Sequence, residues 1–390
     1  MIPGPVEVSP EVLAAAAAPP PGHLAPGLVE AFARCLRAMR TVWGADASAV
    51  PMLVPGSGTI AMEMAVCNLL APGDQALVVN SGFFSSRMAE MVRRRGARVE
   101  QVTADPGAHP EVDEIDQRLG RLSAAGDAAK VLFATHVDTS TAVRVDAQRL
   151  AEVGRKHGAL VVFDGVCATA GERLEMSAWG ADLVLTASQK VLGTAPGVAL
   201  LMLSEKAMDA RRRLGSPPPL CLDFLSWLPI MNAYEAGEKA YFSTPPTSLI
   251  MGLDASFEAM TRDLDGWFDR HERIGHAMRA VWKSIGLEII PASEEIAANT
   301  LSAVRYPDGV DATLCAKIAA RGVVVAPGLH PKMADRYFRV GHMGDVLFHP
   351  AKLRRTIEAI CGGLGDAGYS VDVGAALDAF DSAAANESVQ

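Results

Sequence analysis

Short, unbroken apolar runs recur along the first half of this chain, and they constrain its fold more than any other feature. They fall at 75–80 (QALVVN), 98–103 (RVEQVT), 130–135 (KVLFAT), 159–164 (ALVVFD), 182–187 (DLVLTA) and 197–203 (GVALLML). Most lack the in-out alternation of a half-exposed strand. Continuous apolar runs suit strands buried on both faces of a parallel sheet. Amphipathic helix patterns lie between them, near 59–71, 84–96, 112–123 and 146–157. Alternating strand and helix predicts an α/β sheet with helices on both faces.

The rhythm changes after residue 205. A Pro- and aromatic-rich stretch covers 214–247, and helical spacing then runs across about 248–285 through Ile250, Leu253, Phe257 and Met260. Shorter elements follow: a strand near 300–305, a helix 311–320, strands 322–326 and 336–341, and a helix 350–363. We expect an N-terminal segment over 1–20, a large α/β domain over 21–255, a smaller α+β domain over 256–378 and a flexible tail over 379–390, where small and polar residues dominate.

Composition excludes several classes. With 36 basic and 45 acidic residues the net charge is −9, against the basic face that a nucleic-acid binder needs. Arg93–Arg95 and Arg211–Arg213 close helix patterns, where positive charge complements the helix dipole. Six scattered cysteines show neither a CxxC pair nor metal-ligand spacing, which fits a reducing cytoplasm and no bound metal. No apolar run reaches the roughly 18 residues of a membrane span. The N-terminal residues carry no secretion-signal pattern.

Two positions carry chemistry. Asp164 closes one buried strand, and Lys190 lies just past the end of another; strand C-termini are where open α/β sheets place ligands. Alone, the Asp is equally a helix cap and the Lys a solvated side chain. Together, an acid for a pyridinium nitrogen and an amine for a carbonyl are the pair that pyridoxal 5'-phosphate requires. Pro55-Gly56-Ser57-Gly58-Thr59 precedes an apolar helix. It reads either as an ordinary capped loop or as a phosphate-binding helix N-terminus. As a dinucleotide fingerprint it fails, because the next strand ends in Asn80-Ser81 without an acid.

The segment FDGVCATAGERLEMSAWGADLVLTASQKVLGTAPGVALL resembles the lysine-bearing region of the class V aminotransferases. The likeness extends through Ile2-Pro3-Gly4-Pro5-Val6, PGSGT, residues 134–141, Tyr241-Phe-Ser-Thr-Pro-Pro and Phe338-Arg-Val-Gly-His-Met-Gly, and is strongest to the alanine–glyoxylate and serine–glyoxylate branch. It implies the type I fold of pyridoxal phosphate enzymes, with a mostly parallel seven-stranded sheet, helices on both faces and a smaller C-terminal α+β domain.

Residue by residue, the resemblance implies that Lys190 bonds the cofactor and Asp164 pairs with its ring nitrogen. Val166 and Phe84 flank the ring. Ser57, Gly58, Thr59 and Gln189 surround the phosphate, and Thr139 lies near the ring oxygen and the substrate. Tyr241 and Thr244 reach the phosphate of the neighbouring subunit in a homodimer. Arg339 holds the substrate carboxylate, and Gly4 lines the substrate pocket. The implied partners are a small amino acid and a small oxo acid.

Two departures stand out: Cys167 in the turn after Asp164, and Ala142 where glycine is usual. Desulfurases of this fold need a cysteine ahead of the carboxylate-binding arginine, and 322–345 contains none. An aminophosphonate, ureidoglycine or pyridoxamine as amine remains open, as does lyase chemistry.

Overall fold

The computed structural model describes residues 1–385. Among these, one large sheet is built from β1 (Val50–Pro55), β2 (Gln75–Asn80), β3 (Arg98–Thr103), β4 (Val131–Thr135), β7 (Leu160–Asp164), β8 (Leu183–Ala187) and β9 (Val198–Leu203). A short hairpin, β5 (Val137–Asp138) and β6 (Val143–Arg144), follows β4. The sheet order is β1-β9-β8-β7-β4-β2-β3. β9 pairs antiparallel with both neighbours, and the remaining pairings are parallel. Every residue of β2, β4, β7, β8 and β9 is buried, as their unbroken apolar runs require. The runs at 75–80, 98–103, 130–135, 159–164, 182–187 and 197–203 therefore all form strands.

Local chemistry fixes the helix starts. Ser57 caps helix Gly58–Leu69 by accepting from the amide of Ile60, and Asp146 caps Ala147–Lys156 by accepting from Arg149. The helical pattern across 248–285 is two helices, Thr247–Thr261 and Leu264–Ser284. Asp263 interrupts it by leaving the helical conformation and accepting from Gly266 N at 3.0 Å. Apolar spacing continues through this break, so periodicity alone joins the two.

The smaller domain holds a sheet ordered β10-β12-β11, from β10 (Leu301–Arg305), β11 (Ala326–Pro327) and β12 (Tyr337–Gly341). The strand expected at 322–326 shrinks to Ala326–Pro327. Val324 is exposed, and its carbonyl accepts from the Met1 ammonium at 2.8 Å instead of joining the ladder. Around the boundary expected at 255/256, Phe257 and Met260 pack in the larger core and Ile274 in the smaller one. Residues 379–385 are not a flexible tail: helix Val373–Ala385 packs Ala376, Phe380 and Ala383 inward. Residues 386–390 of that expectation lie outside the described residues.

In the N-terminal segment, residues 1–6 run toward the ends of the large sheet's strands, where Val6 N donates to Gln189 O. Helix Pro10–Ala17 packs instead on Thr247–Thr261, and Gly252 permits the approach: a Cβ there would lie 3.1 Å from that of Ala16. No helix among the described residues is long and apolar enough to cross a membrane.

Candidate active site

The C-terminal ends of β4, β7 and β8 open on a cavity of about 170 Å3. It is lined by Ser57, Gly58, Thr59, Phe84, Thr139, Asp164, Val166, Gln189 and Lys190, all expected from the sequence, and by Met62, Thr135 and Val137, which were not. A larger groove of about 680 Å3 near Arg144 and Ile296 shares none of these residues. We place the chemistry in the smaller cavity, because it gathers an acid and an amine at the C-terminal ends of the neighbouring strands β7 and β8.

Asp164 ends β7 beside Thr135 of β4, and its carboxylate accepts from Val166 N at 3.0 Å. It is 2% exposed. Burial pushes its pKa from 3.8 up to about 7, and the nearby carboxylate of Asp138 adds to the rise. Lys190 follows β8 on a loop pinned by Ser188, whose hydroxyl donates to Ala195 O at 2.7 Å and accepts from Val198 N at 3.3 Å. The ammonium of Lys190 donates to the carbonyl of Pro3. Gly4, at φ +90, touches the same side chain: a Cβ there would lie 2.8 Å from Nζ and 2.9 Å from Cε.

Gly58 has a packing reason to be glycine, since a Cβ would meet Val166 Cγ2 at 2.7 Å. Phe84 sits in the first turn of helix Phe83–Arg94, which Asp138 holds. One oxygen of Asp138 accepts from the amides of Phe84 and Ser85, at 3.0 and 3.2 Å, and the other from Ser140. A carboxylate is favoured at a helix N-terminus, where amides point outward and the dipole is positive. Arg87, one turn on, lies over the rings of Phe83 and Phe84, 4.9 and 5.1 Å from their centroids, and reaches Thr59 Oγ1 at 3.3 Å. Sequence reasoning missed both residues. The signal available was a polar run, Thr-His-Val-Asp-Thr-Ser, directly after a buried strand.

Thr139 donates to Cys167 Sγ at 2.8 Å, so the unusual cysteine is in contact with the site. Arg339 stands on the far side of Thr139. Its Nε donates to Pro327 O at 2.9 Å and its Nη1 to Thr139 O at 3.1 Å. Phe338 and Val340 point into the smaller core, which places Arg339 on the opposite face of β12, as alternation predicts. No carboxylate among the described residues pairs with this guanidinium. Tyr241 and Thr244 are outside the cavity, with Tyr241 65% exposed.

The residues present fit pyridoxal 5'-phosphate. Asp164 is a buried carboxylate without a cationic hydrogen-bond partner among the described residues, a costly state that a protonated ring nitrogen would relieve. Thr135 Oγ1 and Gln189 Oε1 are buried polar atoms lacking partners among the described residues. Small residues at the start of helix Gly58–Leu69 leave room for an anion at its N-terminus.

The family model for "Aminotransferase class-V" matches residues 24–337. Alanine–glyoxylate aminotransferase 1 of Saccharomyces cerevisiae is 33% identical over 359 residues, covering 88% of this chain and 91% of the relative. L-aspartate–glyoxylate aminotransferase of Paracoccus denitrificans is 32% identical, covering 88% and 86%. The crystal structure of pyridoxamine–pyruvate aminotransferase from Mesorhizobium loti superposes with a TM-score of 0.90 over 98% of this chain and 95% of that one, at 24% identity.

Proposed function

The chain belongs to the class V aminotransferases, whose cofactor is pyridoxal 5'-phosphate, and from that premise we propose that it moves the amino group of a small L-amino acid, alanine or serine, to glyoxylate. The observation that carries the reading is Arg339. It is a buried guanidinium, held by two carbonyls beside the cavity and paired with no carboxylate among the described residues. A planar fork of this kind suits a substrate carboxylate, and a charged hydrogen bond there is worth about 1.5–3 kcal/mol. That both relatives near one-third identity are named as glyoxylate aminotransferases supports the acceptor.

When bound, the cofactor supplies an electron sink for the pair released as the substrate Cα–H bond breaks. In this reading Asp164 keeps the ring nitrogen protonated, since opposite charges favour each other's ionised forms. Lys190 would anchor the cofactor and, when free, its Nζ takes the proton from the donor's Cα in one half-reaction and delivers one to the Cα of the new amino acid in the other. Phe84 and Val166 flank the ring. Ser57, Gly58, Thr59 and Gln189 hold the phosphate, Thr139 faces the substrate side, and Gly4 leaves Lys190 room to move.

A homodimer with shared sites is part of the same proposal. Tyr241 and Thr244 are exposed on their own subunit, which suits residues that complete a neighbour's phosphate site. So is a cytoplasmic location, supported by six scattered free thiols.

The test is a steady-state panel with cofactor-loaded protein. Alanine, serine, glycine and aspartate are the donors, and glyoxylate and pyruvate the acceptors. Glyoxylate with alanine or serine should give the highest kcat/KM. Best turnover with pyruvate or aspartate would overturn the corresponding half of the assignment.

A further inference from the structure

Tyr337 is buried at 0% exposure on β12, two residues before Arg339 and on the same face of the strand. Its hydroxyl donates to Ser140 O and accepts from Leu329 N and His330 N, each at 2.9 Å. A phenol offers one donor and two acceptor positions, so its capacity is filled. The partners lie on two segments. Ser140 is in the turn between β5 and β6 of the large domain. Leu329 and His330 are in the loop after β11 of the small one.

These same segments aim Arg339. Thr139, beside Ser140, gives the carbonyl bonded to Nη1. Pro327, two residues before Leu329, gives the carbonyl bonded to Nε. One hydroxyl and one guanidinium, neighbours on a strand face, thus join the same pair of loops. The loop is fitted closely to the ring: Gly328 N donates to Tyr337 O, and a Cβ on Gly328 would lie 2.6 Å from Tyr337 Cε1. Burial raises the phenol's pKa, so it stays a donor through the neutral range.

We infer that Tyr337 is a positioning residue for the substrate carboxylate: its hydroxyl locks the two segments whose carbonyls orient Arg339, and so sets affinity for donor and acceptor alike. The inference rests on the proposed role of Arg339. Tyr337 does not line the cavity and is assigned no contact with the cofactor, so its main effect falls on carboxylate binding.

The experiment compares cofactor-loaded Tyr337→Phe, Arg339→Lys and the double variant. Each is assayed for KM and kcat in both half-reactions, for cofactor affinity and for melting temperature. Tyr337→Phe should raise KM for amino donor and oxo acid together, by about tenfold, with kcat within about twofold of the parent and cofactor affinity unchanged. A general packing defect would instead lower kcat or cofactor affinity without this paired rise. The double variant should be no worse than Arg339→Lys alone, because the phenol acts through the guanidinium.

If Tyr337→Phe does not accumulate as folded protein, Gly328→Ala replaces it: the added methyl would collide with the Ala334 carbonyl oxygen and meet Tyr337 Cε1 at 2.6 Å, and so displaces the ring and its loop. The same paired KM rise is then expected. If Arg339→Lys raises both KM values while the Tyr337 or Gly328 variant changes neither, the locking role is overturned and the carboxylate site stands. If Arg339→Lys itself leaves both unchanged, the carboxylate site fails, and the inference with it.

Discussion

The side chain of Lys190 passes so close to Gly4 that a Cβ at position 4 would lie 2.8 Å from its Nζ. Residues nearly half the chain apart thereby share one small volume at the strand ends.

Gly4→Ala should therefore damage catalysis more than stability. The backbone at φ +90 is unfavourable for alanine, at a cost of about 1–3 kcal/mol, and the methyl would displace the lysine. The expected outcome is a fall of about tenfold or more in kcat/KM with cofactor still bound. Steady-state kinetics alongside cofactor content decide this; parent-like rates would show that Lys190 has free space elsewhere.

Lys190→Ala should abolish turnover. Borohydride treatment followed by mass spectrometry should no longer find the cofactor attached to the protein. Non-covalent binding should persist, because the residues around the phosphate are unchanged. Attachment at another lysine, with activity retained, would remove Lys190 from its proposed role.

Asp164→Asn should lower kcat by about a hundredfold or more, a barrier increase of about 2.7 kcal/mol. It should also change the pH response of cofactor-free protein. The native carboxyl titrates near 7, above its ordinary 3.8. The folded form then holds a proton that the unfolded chain has released. Stability from this group is complete below about pH 4 and is lost as pH rises to about 7. Melting curves at pH 5 and pH 8 should show the asparagine variant losing less stability over that interval than the parent. Equal losses would mean that Asp164 ionises normally.

The sequence carried the strand-end acid and amine because both follow buried apolar runs, and their rank in the sheet needs only the order of strands. β1 was less legible: Val50–Pro55 contains two prolines, which argue against a strand, yet the edge position tolerates them. Asp138 and Arg87 act through partners distant in sequence, Phe84 and Thr59; the polar run after β4 marks the position of Asp138 but not its role, and no local pattern marks Arg87. The role of Tyr337 depends on loops meeting across two domains, and it reads in the sequence as one more aromatic in a strand.

Dilution should couple assembly to cofactor. If Tyr241 and Thr244 complete the neighbour's phosphate site, lowering protein concentration to the monomer range should release pyridoxal phosphate, and Tyr241→Ala should release it at higher concentration. Sedimentation velocity with absorbance detection reads both at once. A monomer that retains full cofactor would overturn the shared site.

The antiparallel insertion of β9 has a consequence for biosynthesis. Val50 of β1 pairs with Leu203 of β9, so about 150 residues must leave the ribosome before the first strand finds its partner, since β1 is bonded to no other strand of the sheet. During that interval β1 is an unpaired apolar segment, the kind that seeds association between nascent chains. Pro51 and Pro55 remove two of its six amide donors. The prolines that obscure the strand in the sequence also make it a poor template for a foreign one while the chain is still being made.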